Sequence, residues 1–172
     1  MDDERILAVL PDAVHQAAPP PAPDWLFGGP PRPEERHGLI HDARLRYDLV
    51  VSDRRLIVVP VTEGKPRDRE AGYRVAAPAT IVATVPGCRS VWPADVGEVV
   101  IDRLLVAASD YASDWGTDVI LRSALGGQTR FRAINVPLTA DEVVRLLEPA
   151  FGEHVRRART VRHGLLRRAT RE

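Results

Sequence analysis

Between Arg44 and Val51 the residues Leu45, Tyr47, Leu49 and Val51 alternate with Arg46, Asp48 and Val50, a period of two that predicts a strand with one buried face. The tetrad SDRR, Ser52 to Arg55, interrupts the pattern, and an aliphatic run from Leu56 to Val61 follows. Further strands are predicted over residues 73–76, 80–85, 89–92, 98–107, 118–123 and 129–136. The breakers between them are EGKPRDREAG, the Pro86-Gly87 pair, SDYASDWG and LGG, all good turn chemistry. The middle of the chain therefore reads as a meander of short antiparallel strands.

Helical periodicity flanks the meander. Ile6, Leu7, Val9, Leu10, Ala13 and Val14 approximate one helical face over residues 2–16, with Pro11 as a break or restart. After Pro137, Thr139 to Glu142 has the form of a capping box, in which the Thr hydroxyl and the Glu carboxylate satisfy opposed orphan amides. A helix is predicted from about Ala140, with Val143, Val144, Leu146, Leu147 and Phe151 on one side. Val155, Ala158, Val161 and Leu165 are spaced as if helix resumed in the tail.

Four segments follow from this reading. Residues 1–17 are a helical segment, and residues 18–36, APPPAPDWLFGGPPRPEER in sequence, a proline-rich extended connector pinned by Trp25, Leu26 and Phe27. Residues 37–152 form the domain, and residues 153–172 are a basic tail. At 172 residues the chain is long enough for one domain with a real core and too short for two.

Charge changes the picture at one end only. Acidic and basic groups balance over the whole chain, so nothing global steers it toward nucleic acid. From Glu153 onward, however, seven arginines face two glutamates. Lys65 is the only lysine, a composition expected of GC-rich coding in a bacterium. A single cysteine, Cys88, cannot form an internal disulfide, and MDDERILAVL is acidic where a signal peptide is basic. A cytoplasmic location is expected. The longest charge-free stretch, Val75 to Cys88, is shorter than the roughly 20 residues a spanning helix needs.

About seven short strands closed off by one amphipathic helix give an α+β class. Two stretches sharpen it: YDLVVSDRRLIVV resembles the early strand pair of bacterial pleckstrin-homology-like (PH-like) domains, where a Thr or Ser, an Asp and a basic residue sit at the turn. VWPADVGEVVI resembles the later segment of those domains, in which a proline and an acidic residue precede the second sheet. The resemblance covers about Leu39 to Gly152. It implies a strongly bent antiparallel sheet, a partly open barrel capped by the terminal helix. In lipid-binding eukaryotic PH domains, basic residues near the first hairpin hold phosphoinositide head groups, and Arg54 and Arg55 occupy a comparable place.

The candidate chemistry is sparse. Ser52 and Asp53 can accept backbone amide hydrogen bonds and close a turn, with Arg54 and Arg55 left to solvent or to a ligand. His37 and His41 have a zinc-like spacing, yet no third ligand is evident. Cys88 reads as a buried, inert thiol. Asp110, Asp114 and Asp118 lack the alternate-residue ligands and closing Glu of an EF-hand loop and read as a polar hairpin loop. No metal, cofactor or small-molecule substrate is expected, and no catalytic motif is present.

Binding candidates remain. Tyr111 and Trp115 can anchor a protein partner. The tail arginines Arg156, Arg157, Arg159, Arg162, Arg167 and Arg168 can meet an anionic membrane, the phosphates of a nucleic acid or an acidic partner. The expectation is a non-enzymatic PH-like binding module, most simply for protein, with tail-driven attachment to membrane or nucleic acid as the alternative.

Overall fold

Val51 lies opposite Leu56 in a hairpin that the SDRR tetrad closes. The computed structural model describes residues 4–16, 46–61, 63–108, 113–134 and 136–158. The hairpin strands are β2 (Arg46–Ser52) and β3 (Leu56–Pro60). Both are buried on both faces, which accounts for aliphatic runs where a half-exposed strand would alternate. With β1 (Ile6–Gln16), β4 (Arg89–Val91), β5 (Val96–Ala108), β6 (Ser113–Ser123), β7 (Gln128–Ile134) and β8 (Val155–Arg157) they form one eight-stranded sheet. Its order is β4-β3-β2-β1-β7-β6-β5-β8. All pairings are antiparallel except β5 with β8, so the sheet is mixed. It is not closed into a barrel: β4 and β8 are its two edges.

Among the described residues three helices pack on the sheet: α1 (Pro66–Val75), α2 (Pro78–Thr84) and α3 (Ala140–Phe151). One core lies between a sheet face and α3, built from Leu10, Leu49, Val58, Ile101, Phe131, Val143, Leu147 and Phe151 among others. A smaller core on the opposite face joins Val9, Val50, Ile57 and Val59 to Ile81 of α2, with Tyr73 of α1 packed against it. The capping box of α3 forms as expected: Glu142 N–H donates to Thr139 Oγ1 at 3.2 Å, and Thr139 N–H donates to Glu142 Oε2 at 2.7 Å.

Four expectations are corrected. Residues 2–16 do not contain a helix, because Ile6–Gln16 is the strand β1, paired with both β2 and β7. A bulge explains the misleading pattern. Pro11 and Asp12 together face Asp48, so the core-facing residues are Ala8, Leu10 and then Ala13. One inserted residue converts a period of two into spacings that mimic a helix. Pro11 is tolerated because the bulge asks no ladder donor of it, and Asp12 takes a left-handed φ of 52°.

The strands predicted over 73–76 and 80–85 are helical instead. Each falls within or at the end of a helix whose first turn holds a proline, Pro66 or Pro78, whose fixed φ suits that position. The start of the basic tail is the strand β8, not a resumed helix. Finally, β6 begins at Ser113, so Asp114 belongs to a strand, not to the expected polar loop, and the strand expected over 118–123 starts earlier than its pattern suggested. The proline-rich connector, with Trp25, Leu26 and Phe27, lies outside the described residues.

Candidate functional site

The SDRR tetrad is a turn fastened from two directions. Ser52 N–H donates to the Arg55 carbonyl at 3.0 Å, while Ser52 Oγ accepts from the amides of Arg54 and Arg55 at 3.2 and 3.0 Å. The segment preceding β1 then locks it. Asp53 N–H donates to the Arg5 carbonyl, and Arg5 N–H returns a bond to Asp53 Oδ1, both at 3.0 Å. That backbone amide, more than any other neighbour, holds the Asp53 carboxyl below its ordinary range.

Arg55 is not presented to solvent. Its side chain is buried, with Nε and Nη2 each 2.9 Å from the two oxygens of Glu4 and Nη1 donating to Ser90 Oγ at 3.0 Å. The ring of Trp92 covers it at 4.5 Å. Arg54 alone of the pair is exposed.

A second charged cluster escaped the sequence reading. Asp48, on the face of β2 expected to meet solvent, is fully buried. Its Oδ1 accepts from the Asp12 amide at 2.9 Å and from Arg69 Nη2 at 3.1 Å; its Oδ2 accepts from Arg69 Nε at 2.7 Å and from Tyr73 Oη at 3.0 Å. Arg69 Nη2 also reaches Asp12 Oδ1 at 2.8 Å, and Nη1 donates to the Gly64 carbonyl. The carboxylate thus clamps α1 to the sheet and holds the β1 bulge. Burial, with Asp48 next to it, pushes the Tyr73 hydroxyl above its ordinary range. The available signal was an aspartate set directly against an apolar run, Leu49 to Val51.

Asp118 is likewise buried, held bidentately by Arg132 at 2.7 and 2.9 Å, with Arg130 at 3.8 Å. On the same sheet, Glu98 accepts from Arg122 at 2.5 Å and from Arg156, whose hydrogen bond is the main reason that its carboxyl sits below the ordinary range. Arg157 pairs with Asp141 of α3 at 3.1 Å. The first two tail arginines are therefore engaged with the body. Arg159, Arg162, Arg167 and Arg168 lie outside the described residues, as do Tyr111, His37 and His41.

Cys88 is half-buried beside the smaller core, and burial pushes its thiol upward, the opposite of an activated nucleophile. Among the described residues no cluster of His, Cys, Asp and Glu has the composition of a metal site. No described helix is long and apolar enough to cross a membrane.

Trp115 differs from these groups. It lies in β6, 44 % exposed, with the guanidinium of Arg103 5.5 Å from its ring centre. Arg103 is itself fixed by donating from Nη1 to the Leu138 carbonyl at 2.9 Å, just ahead of α3. The β5–β6 pairing continues past Gly116, where β7 stops accompanying β6, as far as Ala108 opposite Ser113. Trp115 thus stands on a two-stranded arm beyond the end of β7.

Comparison with known protein families, characterised proteins and solved structures finds no match. Function must be argued from these side chains alone. The buried ionisable groups Asp48, Arg55 and Asp118 are consumed in holding strands and helices together. Among the described residues, the surface offers Trp115 on its arginine and Trp92 beside Arg55.

Proposed function

We propose that the protein is a non-enzymatic, PH-like binding module that docks a protein partner on the β5–β6 arm. The single observation carrying this reading is Trp115, an exposed indole steadied by an anchored arginine. A large, rigid ring of this kind gives contact area at little entropic cost, and Trp and Arg dominate the energetics of protein interfaces. The PH-like part of the proposal is supported by the succession of β5, β6, β7 and α3, an antiparallel meander followed by an amphipathic helix. The engagement of Arg156 and Arg157 with Glu98 and Asp141 favours docking by protein over tail-driven attachment to lipid or nucleic acid.

The test is affinity capture from nuclease-treated lysate at high salt, using the whole chain and its Trp115→Ala variant. A discrete protein retained by the first and lost by the second, with unchanged thermal midpoint, is the expected result. Equal retention by both, or recovery only of lipid or nucleic acid at low salt, would remove the proposal.

A further inference from the structure

Arg55 is a buried cation whose counter-ion comes from outside the frame that holds it. Ser52 ends β2, Arg55 precedes β3, Ser90 lies in β4 and Trp92 follows it, so all four stand on three strands paired in succession. That frame orients the guanidinium by its own contacts: Nη1 donates to Ser90 Oγ at 3.0 Å, and the Trp92 ring lies 4.5 Å away. Glu4 belongs to another segment. It lies before β1, past the last ladder pair of Ile6 with Ser52, and reaches the frame with its side chain.

What the frame presents to that side chain has the form of a carboxylate receptor. Arg55 Nε and Nη2 meet the two oxygens of Glu4 side-on at 2.9 Å each, and Ser52 Oγ lies 2.6 Å from the first of them. A guanidinium edge matches the planar spacing of a carboxylate, which makes such pairs both strong and selective. The site also requires an occupant. With its side chain 9 % exposed, Arg55 without Glu4 is an uncompensated buried charge, a costly state for any protein. Yet the site is not sealed: Glu4 is 13 % exposed, and Trp92, which walls it, is 42 % exposed. An anion from solution can therefore replace the one that the chain supplies.

We propose that Ser52, Arg55, Ser90 and Trp92 form a binding site for the glutamate side chain of an acidic peptide, plugged in this chain by its own Glu4. Tethering makes Glu4 the favoured occupant, because a ligand on the same chain acts at high effective concentration. The site opens to a partner when the segment before β1 is drawn away. It stands on strands other than those that carry the Trp115 arm.

The experiment uses the full chain with Glu4→Ala, which empties the site, and propionate as the probe, the acid end of a glutamate side chain. Thermal midpoints of parent and variant are compared in sodium propionate and in sodium chloride, each up to about 0.5 M. The variant is expected to gain about 2–4 °C in propionate over chloride as the site fills, and the parent, whose site is occupied, only a small fraction of that. Equal responses overturn the proposal. Glu4→Gln, which keeps the shape and removes the charge, gives the same comparison if Glu4→Ala does not fold. Heteronuclear NMR then locates the anion: the Arg55 Nε–H and Trp92 indole signals of the variant must move with propionate, and shifts confined to other arginines overturn the assignment. Acetyl-Ala-Glu-Ala-amide is expected to reproduce the effect, and acetyl-Ala-Gln-Ala-amide is not. If propionate acts and the glutamate peptide does not, or if phosphate acts as strongly as propionate, a site for an acidic peptide is overturned.

Discussion

Asp12 and Asp48, carboxylates on neighbouring strands, share the guanidinium of Arg69, which reaches one at 2.8 Å and the other at 2.7 Å. Neither acid would sit comfortably there without it. Asp48 is sealed from water, and Asp12 occupies a left-handed backbone position at a bulge. Removing the cation strands a buried charge, for which a cost of about 3–5 kcal/mol is general. Arg69→Met is therefore expected to lower the urea-unfolding free energy by roughly that amount, whereas Arg74→Met, which breaks an exposed pair with Glu70, should change it by under about 1 kcal/mol.

Tyr73 gives the same cluster a pH dependence. Its hydroxyl donates to Asp48 and ionises above the ordinary value of 10.0 because of burial and that carboxylate. The folded state thus holds this proton more tightly than the unfolded chain. The stabilisation is complete below pH 10 and is lost as pH rises above it. Thermal midpoints measured from pH 8 to 11 should fall more steeply for the parent chain than for Tyr73→Phe. At neutral pH the variant should be about 1–2 kcal/mol less stable, for the lost hydrogen bond to a charged acceptor.

The two arginines of the SDRR turn should behave differently. Arg55 is enclosed by Glu4, Ser90 and Trp92, so Glu4→Ala, which leaves that cation unpaired, should cost about 3 kcal/mol in chemical denaturation. Arg54→Ala, at an exposed position, should stay within about 0.5 kcal/mol of the parent. Similar losses for the two would mean that the segment before β1 does not hold the turn.

Phe131 is a control for the main core. Fully buried, it meets Tyr47 edge-on at 5.7 Å. Phe131→Ala is expected to cost about 3–5 kcal/mol, read as a shift in the denaturation midpoint at constant slope.

What could be read from the sequence was whatever local chemistry decides. The β2–β3 hairpin, the SDRR turn and the α3 capping box each depend on neighbours a few residues apart, and each was legible. Several of the failures involve distant partners. The pattern in β1 deceives because Pro11 and Asp12 form a bulge only against Asp48, more than thirty residues on. Residues 73–76 and 80–85 have strand-like composition, yet the prolines at positions 66 and 78 start helices that pack over the outer face of β1 to β3. At the candidate site, Trp115 was legible as an exposed aromatic, but not its place in a strand over Arg103. Asp48 was counted as solvent-facing, since alternation shows which residues share a side and is silent on whether a helix will cover that side.

The position of β1 at mid-sheet bears on how the protein is made. It is made before the other strands of this sheet, and a long stretch of chain separates it from β2. Its contact with β7, Gln16 beside Arg130, joins the β2–β3–β4 half of the sheet to the β5–β6–β7 half. At about 5–20 residues per second, synthesis of the intervening chain takes several seconds. Until then β1 has a neighbour in β2 alone, and one of the first strands of the sheet to be made waits for a strand made more than a hundred residues later to cover its other edge.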